Sequence, residues 1–113
     1  MFYKSGDAGY KQMLDGIKLK TLVYGEKTLL TEFRLEKGRV LPKLSHPHEQ
    51  AGYLVSGRIR LSIGDETYEV EPGDSWCIHG NIEHGVEVIS DSIAVEVFSP
   101  VRKDYLPENL DRT

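Results

Sequence analysis

Alternation of apolar and polar side chains with a period of two residues dominates this chain, and helical spacing is nearly absent. In three segments, apolar residues or threonine recur at every second position, with mostly charged residues between them. These sets are Ile17, Leu19 and Thr21; Thr31, Phe33 and Leu35; and Ile59, Leu61 and Ile63. Such a period is that of a β-strand with one buried face. We therefore predict an all-β protein.

Glycine and proline separate the apolar segments at intervals that suit short strands. Gly64-Asp65, between Ile63 and Tyr68, is typical of a hairpin turn. Short strands joined by such turns predict a sandwich or a barrel. We expect a single domain over residues 1–113, with an N-terminal arm over about 1–15 and a C-terminal tail over about 107–113.

Composition argues against some classes of partner and does not indicate a function. The 113 residues carry a formal charge of −4, with 14 Lys and Arg against 18 Asp and Glu, so nucleic acid is not an expected partner. No apolar run approaches the roughly 20 residues needed to cross a bilayer, so no membrane partner is expected. A single cysteine, Cys77, excludes an internal disulfide and suits a reducing compartment. These features favour a cytoplasmic protein.

The segment LPKLSHPHEQAGYLVSG, residues 41–57, contains the first candidate chemistry. His46, His48 and Gln50 alternate there and share one strand parity, although Pro47 can interrupt the strand. Imidazole nitrogen is a common ligand of zinc, iron, nickel and copper. Isolated histidines are more often surface or core residues than ligands, so the pattern alone leaves both interpretations open.

Two sequence blocks together resemble the paired motifs of the cupin family. The blocks are Gly38, Leu44, His46, Gln50 and Gly57, then the Pro-Gly-Asp turn at 72–74 and His84. Cupins are small jelly-roll-like β-barrels, commonly dimeric, that hold a divalent metal inside the barrel. The resemblance covers about residues 16–100 and implies this fold, a homodimer and a bound Zn, Ni, Fe or Mn ion.

Carried over position by position, the resemblance makes His46, Gln50 and His84 the metal ligands. Leu44 stands where cupins usually have another histidine, and Gln50 stands where they usually have glutamate. Both departures predict weaker metal binding, because an imidazole is lost and a neutral amide adds little affinity. His48 is an alternative ligand by its parity, and His79 is a less favoured one.

The last predicted strand, SIAVEVFSPVRKDYL, places Glu96 and Phe98 on one face and Ile93, Val95 and Val97 on the other. Both faces are largely apolar, so Glu96 is expected to be at least partly buried. A buried carboxylate must be paired, hydrogen-bonded or protonated. Glu96 is therefore either a structural partner of Arg102 or a tyrosine, or a tuned acid or base. Trp76 and Cys77 are interpreted as packing residues.

The stretch EVFSPVRKDYL is similar to the end of small cupins of pectin and alginate breakdown. Those proteins open 4,5-unsaturated uronate rings to linear keto-deoxy sugars. The resemblance implies Glu96 and Arg102 as catalytic residues and Phe98, Arg102 and Tyr53 as contacts to a small carboxylated sugar. Glu96 departs from the aspartate of their pattern. Two alternatives remain: a non-catalytic sugar- or metabolite-binding cupin with a weak or absent metal site, and a metal-dependent cupin dioxygenase.

Overall fold

A computed structural model describes residues 1–110 of the chain, which form eight strands and two short helical segments. The strands are β1 (Lys11–Leu14), β2 (Ile17–Tyr24), β3 (Leu29–Leu35), β4 (Val40–Leu44), β5 (Glu49–Ile63), β6 (Glu66–Val70), β7 (Ser75–Ile78) and β8 (His84–Ser99). A 3₁₀ turn at Lys103–Tyr105 and the one-turn helix α1 at Pro107–Leu110 follow. Within residues 1–110 no helix is long and apolar enough to cross a membrane. The last three residues of the predicted tail lie outside this range.

All neighbouring strands are antiparallel, and the two longest, β5 and β8, form the centre of the sheet. The order is β1-β2-β3-β8-β5-β6, with β4 also paired to β8 and β7 also paired to β5. The first half of β8 pairs with β4 and the second half with β3. Register shifts between Leu54 and Ile59 mark bulges, which bend paired strands. The sheet therefore curves around an interior, and the all-β barrel prediction is confirmed.

The predicted inward positions are those that the fold buries. Leu19, Phe33, Ile59 and Leu61 belong to one continuous apolar core. Along β5 the buried positions change from even to odd numbers between Leu54 and Ile59, because the bulge inserts an extra residue there. The Gly64-Asp65 turn joins β5 to β6 as expected.

Tyr3, Gly6 and Tyr10 from the first ten residues lie around Lys20 on the outside of the barrel and cover it. The Lys20 side chain is only 2% exposed, and its ammonium donates a hydrogen bond to the Gly6 carbonyl at 2.7 Å. The same ammonium lies 4.9 Å from the Tyr3 ring centroid and 5.1 Å from that of Tyr10. Cation–π contacts of this kind stabilise a covered ammonium. The predicted N-terminal arm thus lies along β2, and its last residues contribute strand β1.

An apolar surface lies on the outer side of the sheet where β5 and β8 pair. Ile93, Val95 and Val97 of β8 are half-buried there, and Tyr53 and Val55 of β5 are 50% and 47% exposed. Val95 is in register with Tyr53. The opposite side of the same strands carries Glu96 and Phe98 into the interior.

Candidate metal and substrate site

One interior cavity of about 210 Å³ collects most of the predicted site residues. Its wall includes His46, Gln50, His84, Glu96, Phe98, Arg102, Trp76 and Tyr105. Four different parts of the chain supply them: the β4–β5 connection with the start of β5, strand β7, strand β8 and the segment after β8. A cavity of this size suits one small metabolite rather than a drug-sized ligand.

Backbone carbonyls orient the two cavity histidines in the same way. Nδ1 of His46 lies 3.0 Å from the His48 carbonyl oxygen, and Nδ1 of His84 lies 2.9 Å from that of Ile82. A carbonyl oxygen only accepts, so Nδ1 carries a proton in each ring, and in the neutral imidazole Nε2 then keeps its lone pair. The ring centroids are 4.9 Å apart. Such anchoring is common for metal-binding histidines.

Gln50 brings a third donor next to His46. The Gln50 Oε1 atom lies 3.0 Å from His46 Nε2, while the Gln50 amide nitrogen donates to Glu96. Two acceptor atoms therefore face each other, a contact that is unfavourable without a proton or a cation between them. Burial and the positive charge of Arg102 both lower the pKa of His46, which disfavours the proton. If the Gln50 amide were reversed, its nitrogen would donate to His46 Nε2. Its oxygen would then face a Glu96 oxygen, a contact that is favourable only if Glu96 is protonated.

The donor set fits a divalent transition metal. Adjacent ligands of an octahedral ion with bonds of 2.0–2.1 Å lie roughly 3 Å apart, similar to the separation of His46 Nε2 and Gln50 Oε1. Within residues 1–110 no group of three or more His, Cys, Asp or Glu side chains could hold a metal ion. A metal in this cavity would therefore depend on the amide oxygen of Gln50 together with His46 and His84.

The remaining positions considered for a metal ligand lie at the edge of the cavity or outside it. Leu44 lines the edge of the cavity, is 66% exposed and is in register with His84. His48 does not line the cavity; its ring packs 5.5 Å from that of His46, and its buried Nδ1 has no hydrogen-bond partner. His79 is 81% exposed and lies 3.4 Å from Glu49. The two alternative histidines are thus not brought to the cavity.

Glu96 is buried in the cavity wall, with both carboxylate oxygens engaged. One accepts a hydrogen bond from the Gln50 amide and the other from Trp76 Nε1 at 3.1 Å. Burial raises the pKa of Glu96 to about 7, although these bonds and Arg102 act in the opposite direction. For a structural role, one of two interpretations left open, the sequence suggested Arg102 or a tyrosine as the partner of Glu96, whereas its hydrogen-bond partners in the fold are Gln50 and Trp76. Glu96 can therefore exchange a proton near neutral pH.

We expect the stability of metal-free protein to fall as pH rises. The pKa of Glu96 is raised above its unfolded value, so its contribution is full below about pH 4.5 and is lost through about pH 7. Between pH 5 and 8 the wild-type free energy of unfolding should drop by roughly 2–3 kcal/mol relative to Glu96→Gln. Urea denaturation of both proteins with a chelator present measures this difference. Parallel pH profiles would contradict the assignment.

Arg102 lies at the edge of the cavity on an aromatic support. Its guanidinium carbon is 4.0 Å from the Tyr105 ring centroid and 5.5 Å from that of Phe98. Its Nε donates to the Asp104 carboxylate at 3.1 Å, and the Tyr105 hydroxyl is a further hydrogen-bond partner of the guanidinium. Burial raises the pKa of Tyr105 to about 12, so its hydroxyl remains protonated.

Trp76 is a site residue that sequence reasoning missed. Trp76, Gly52 and Glu96 lie side by side on three neighbouring strands, with Gly52 in the middle. A Cβ atom on Gly52 would overlap the indole, so the indole crosses this glycine to reach Glu96. A glycine inside a strand often marks such a close approach, and Gly52 was the available signal.

Two further residues do not lie where their predicted roles require. Tyr53 does not line the cavity, because Gln50, Gly52 and Leu54 point inward and strand alternation turns Tyr53 outward. Cys77 is exposed rather than packed, for the same reason in β7. Tyr53 therefore contributes to the outer apolar surface and not to a sugar contact in this cavity.

A curved antiparallel barrel with inward histidines from two distant segments defines a cupin. The Cupin domain model matches residues 31–100, and the chain belongs to this family. It is 25% identical to the pectin degradation protein KdgF of Dickeya dadantii (strain 3937) over 107 residues, covering 93% of this chain and 97% of KdgF.

Solved cupin structures agree with the fold. KdgF from Halomonas sp. superposes with a TM-score of 0.89 at 25% identity, covering 94% of this chain and 98% of that one. An RmlC-like cupin from Shewanella frigidimarina NCIMB 400 gives a TM-score of 0.88 at 22% identity, covering 93% and 95%. The chain is thus similar to KdgF over nearly its full described length.

Proposed function

We propose that this cupin opens the ring of a 4,5-unsaturated uronate to a linear keto-deoxy sugar. The observation that carries the proposal is the convergence of a proton-exchanging carboxyl, Glu96, with Arg102 and two oriented imidazoles in one small cavity. Similarity to the pectin degradation protein KdgF supports the substrate class.

Arg102 would bind the carboxylate of the sugar. Its two terminal nitrogens can donate a pair of parallel hydrogen bonds, while Asp104 and the Tyr105 ring hold the guanidinium in place. Phe98 lies beside both Arg102 and His46 and gives the sugar ring an apolar face to lie against. The sugar would then lie between the guanidinium and the imidazoles.

Glu96 would move the proton that ring opening requires. Opening breaks the bond between the anomeric carbon and the ring oxygen: the anomeric hydroxyl loses its proton and becomes an aldehyde, and the ring oxygen gains a proton and becomes an enol hydroxyl. The enol becomes a ketone when its carbon gains a proton and its hydroxyl loses one. Glu96 can accept one proton and deliver the other, because its pKa lies near neutral pH. A divalent metal held by His46, Gln50 and His84 would polarise an oxygen of the sugar.

Loss of the ultraviolet absorbance of a 4,5-unsaturated uronate tests this function. Purified protein should consume the absorbing double bond when a divalent metal is supplied, and a chelator should stop the loss. The product should be the linear keto-deoxy sugar by mass and NMR. Unchanged absorbance with Zn²⁺, Ni²⁺, Fe²⁺ and Mn²⁺ in turn would refute the enzymatic function.

The second candidate is a cupin that binds a carboxylated sugar without turning it over. Leu44 favours it, because an exposed apolar side chain stands where cupins usually place a histidine. This protein would bind the unsaturated uronate in calorimetry while leaving its absorbance unchanged. The dioxygenase alternative is less favoured, because that chemistry needs a firmly held redox metal and Leu44 takes the place of one imidazole.

We also propose a cytoplasmic homodimer formed through the outer apolar surface around Val95 and Tyr53. That surface combines half-buried Ile93, Val95 and Val97 with half-exposed Tyr53 and Val55. Sedimentation at micromolar concentration should give twice the mass of the chain. Val95→Glu should shift the protein to monomer, whereas a wild-type monomer would rule out the dimer.

A further inference from the structure

The donors that fit a divalent cation in this cavity bring no negative charge to it. The three available donors, two imidazoles and an amide, are all neutral. Glu96 is the carboxylate in the cavity wall, and its oxygens already accept hydrogen bonds from Gln50 and Trp76. Its carboxylate is therefore engaged by Gln50 and Trp76, and Gln50 lies between Glu96 and His46. A bound cation would keep most of its positive charge.

Arg102 adds a second positive charge close to the same donors. Its guanidinium carbon lies 5.5 Å from the centroid of the Phe98 ring, and the centroid of the His46 ring lies 5.9 Å from the same point. The charge acts on His46, whose pKa it lowers together with burial. Asp104 offsets only part of it, since that carboxylate is 60% exposed and screened by water.

A carboxylated sugar would remove this conflict. Its anion would pair with Arg102 and lower the positive potential at the imidazoles, while its oxygens would add donors that Leu44 does not provide. The metal would in turn raise the affinity for the anion, because coupling between two binding sites is reciprocal. The cation alone would leave the positive charges of this cavity unbalanced.

We infer that the metal centre is completed by the anionic ligand, so that a divalent cation and a uronate bind with positive cooperativity. The inference rests on the proposed function, but it concerns binding and not turnover. Coupling free energies between sites are typically equivalent to 5–150-fold in affinity, and we expect about tenfold here.

Calorimetry with Ni²⁺ and D-galacturonate tests the coupling. Galacturonate is a saturated uronate without the double bond, so it cannot undergo the proposed reaction. Metal-free protein should bind Ni²⁺ about tenfold more tightly with saturating galacturonate, after correction for Ni²⁺ binding by the sugar itself. The affinity for galacturonate should rise by the same factor with saturating Ni²⁺. D-Galactose, which has no carboxylate, should leave the Ni²⁺ affinity unchanged.

Two arginine variants distinguish an effect of the positive charge in the cavity from an effect of the net charge of the protein. Arg102→Gln should tighten Ni²⁺ binding to sugar-free protein and reduce the coupling below about twofold. Arg60→Gln removes a charge outside this cavity, where Arg60 pairs with Glu69 and Glu87, and should keep the tenfold coupling. Circular dichroism confirms that each variant is folded.

Independent binding of Ni²⁺ and galacturonate would overturn the inference, and so would the absence of Ni²⁺ binding in both conditions. Equal coupling in wild type and Arg102→Gln would show that the charge of Arg102 does not cause the coupling. Coupling without loss of unsaturated uronate would refute the ring-opening function and leave this inference intact. Ring opening together with independent binding would support the ring-opening function and refute this inference.

Discussion

Glu96→Gln should lower kcat for ring opening by about 100-fold or more, the usual contribution of a general acid or base. The amide keeps the shape of the side chain and its oxygen can still accept from Trp76, but its nitrogen cannot accept from Gln50 and the side chain cannot exchange the proton. Arg102 and Phe98 are unchanged, so KM should change by less than about threefold. Initial rates of absorbance loss across substrate concentrations separate the two constants.

Glu87→Gln is the matched control for this variant. Glu87 lies on the same strand, β8, but it points outward and pairs with Arg60. Its replacement should leave kcat and KM at wild-type values. If Glu96→Gln turned over at the wild-type rate, Glu96 would have only a structural role, which its bonds to Gln50 and Trp76 could fulfil.

The barrel could be predicted from the chain because alternation depends on local geometry. Ile59 and Leu61 are buried where the period of two places them, and the Gly64-Asp65 turn joins the strands around it. The change of buried parity along β5 could not be predicted in this way. It depends on bulges whose position is set by pairing with β8, a strand that is distant in sequence.

The candidate site residues were indicated by resemblance to family motifs, which fix a residue type at a position. The family resemblance implies His46, Gln50, His84, Glu96 and Arg102, and the fold brings these residues to one cavity. The contact of Trp76 with Glu96 arises from the register of three strands across Gly52, which no local pattern contains. Tyr53 was assigned by resemblance, although the parity of Gln50 already predicted that it points outward.

His84→Ala should lower divalent metal affinity by about 100-fold or more, and Leu44→His should raise it by about tenfold. One imidazole remains after the first change, and imidazole supplies most of the affinity of such a donor set. Leu44 lines the cavity edge in register with His84, so an imidazole there can reach the same ion. Its position is 66% exposed, so the new polar ring loses little hydration. Calorimetry with Ni²⁺ measures both changes.

His79→Ala is the control for these histidine variants, because His79 is 81% exposed and outside the cavity. It should bind Ni²⁺ as the wild type does. The double variant Leu44→His with His84→Ala should regain part of the lost affinity, since it again has two imidazoles beside Gln50. If neither wild type nor Leu44→His binds Ni²⁺, the cavity is not a metal site. The hydrogen bonds of His46 and His84 to backbone carbonyls would then serve only to hold the mouth of the barrel.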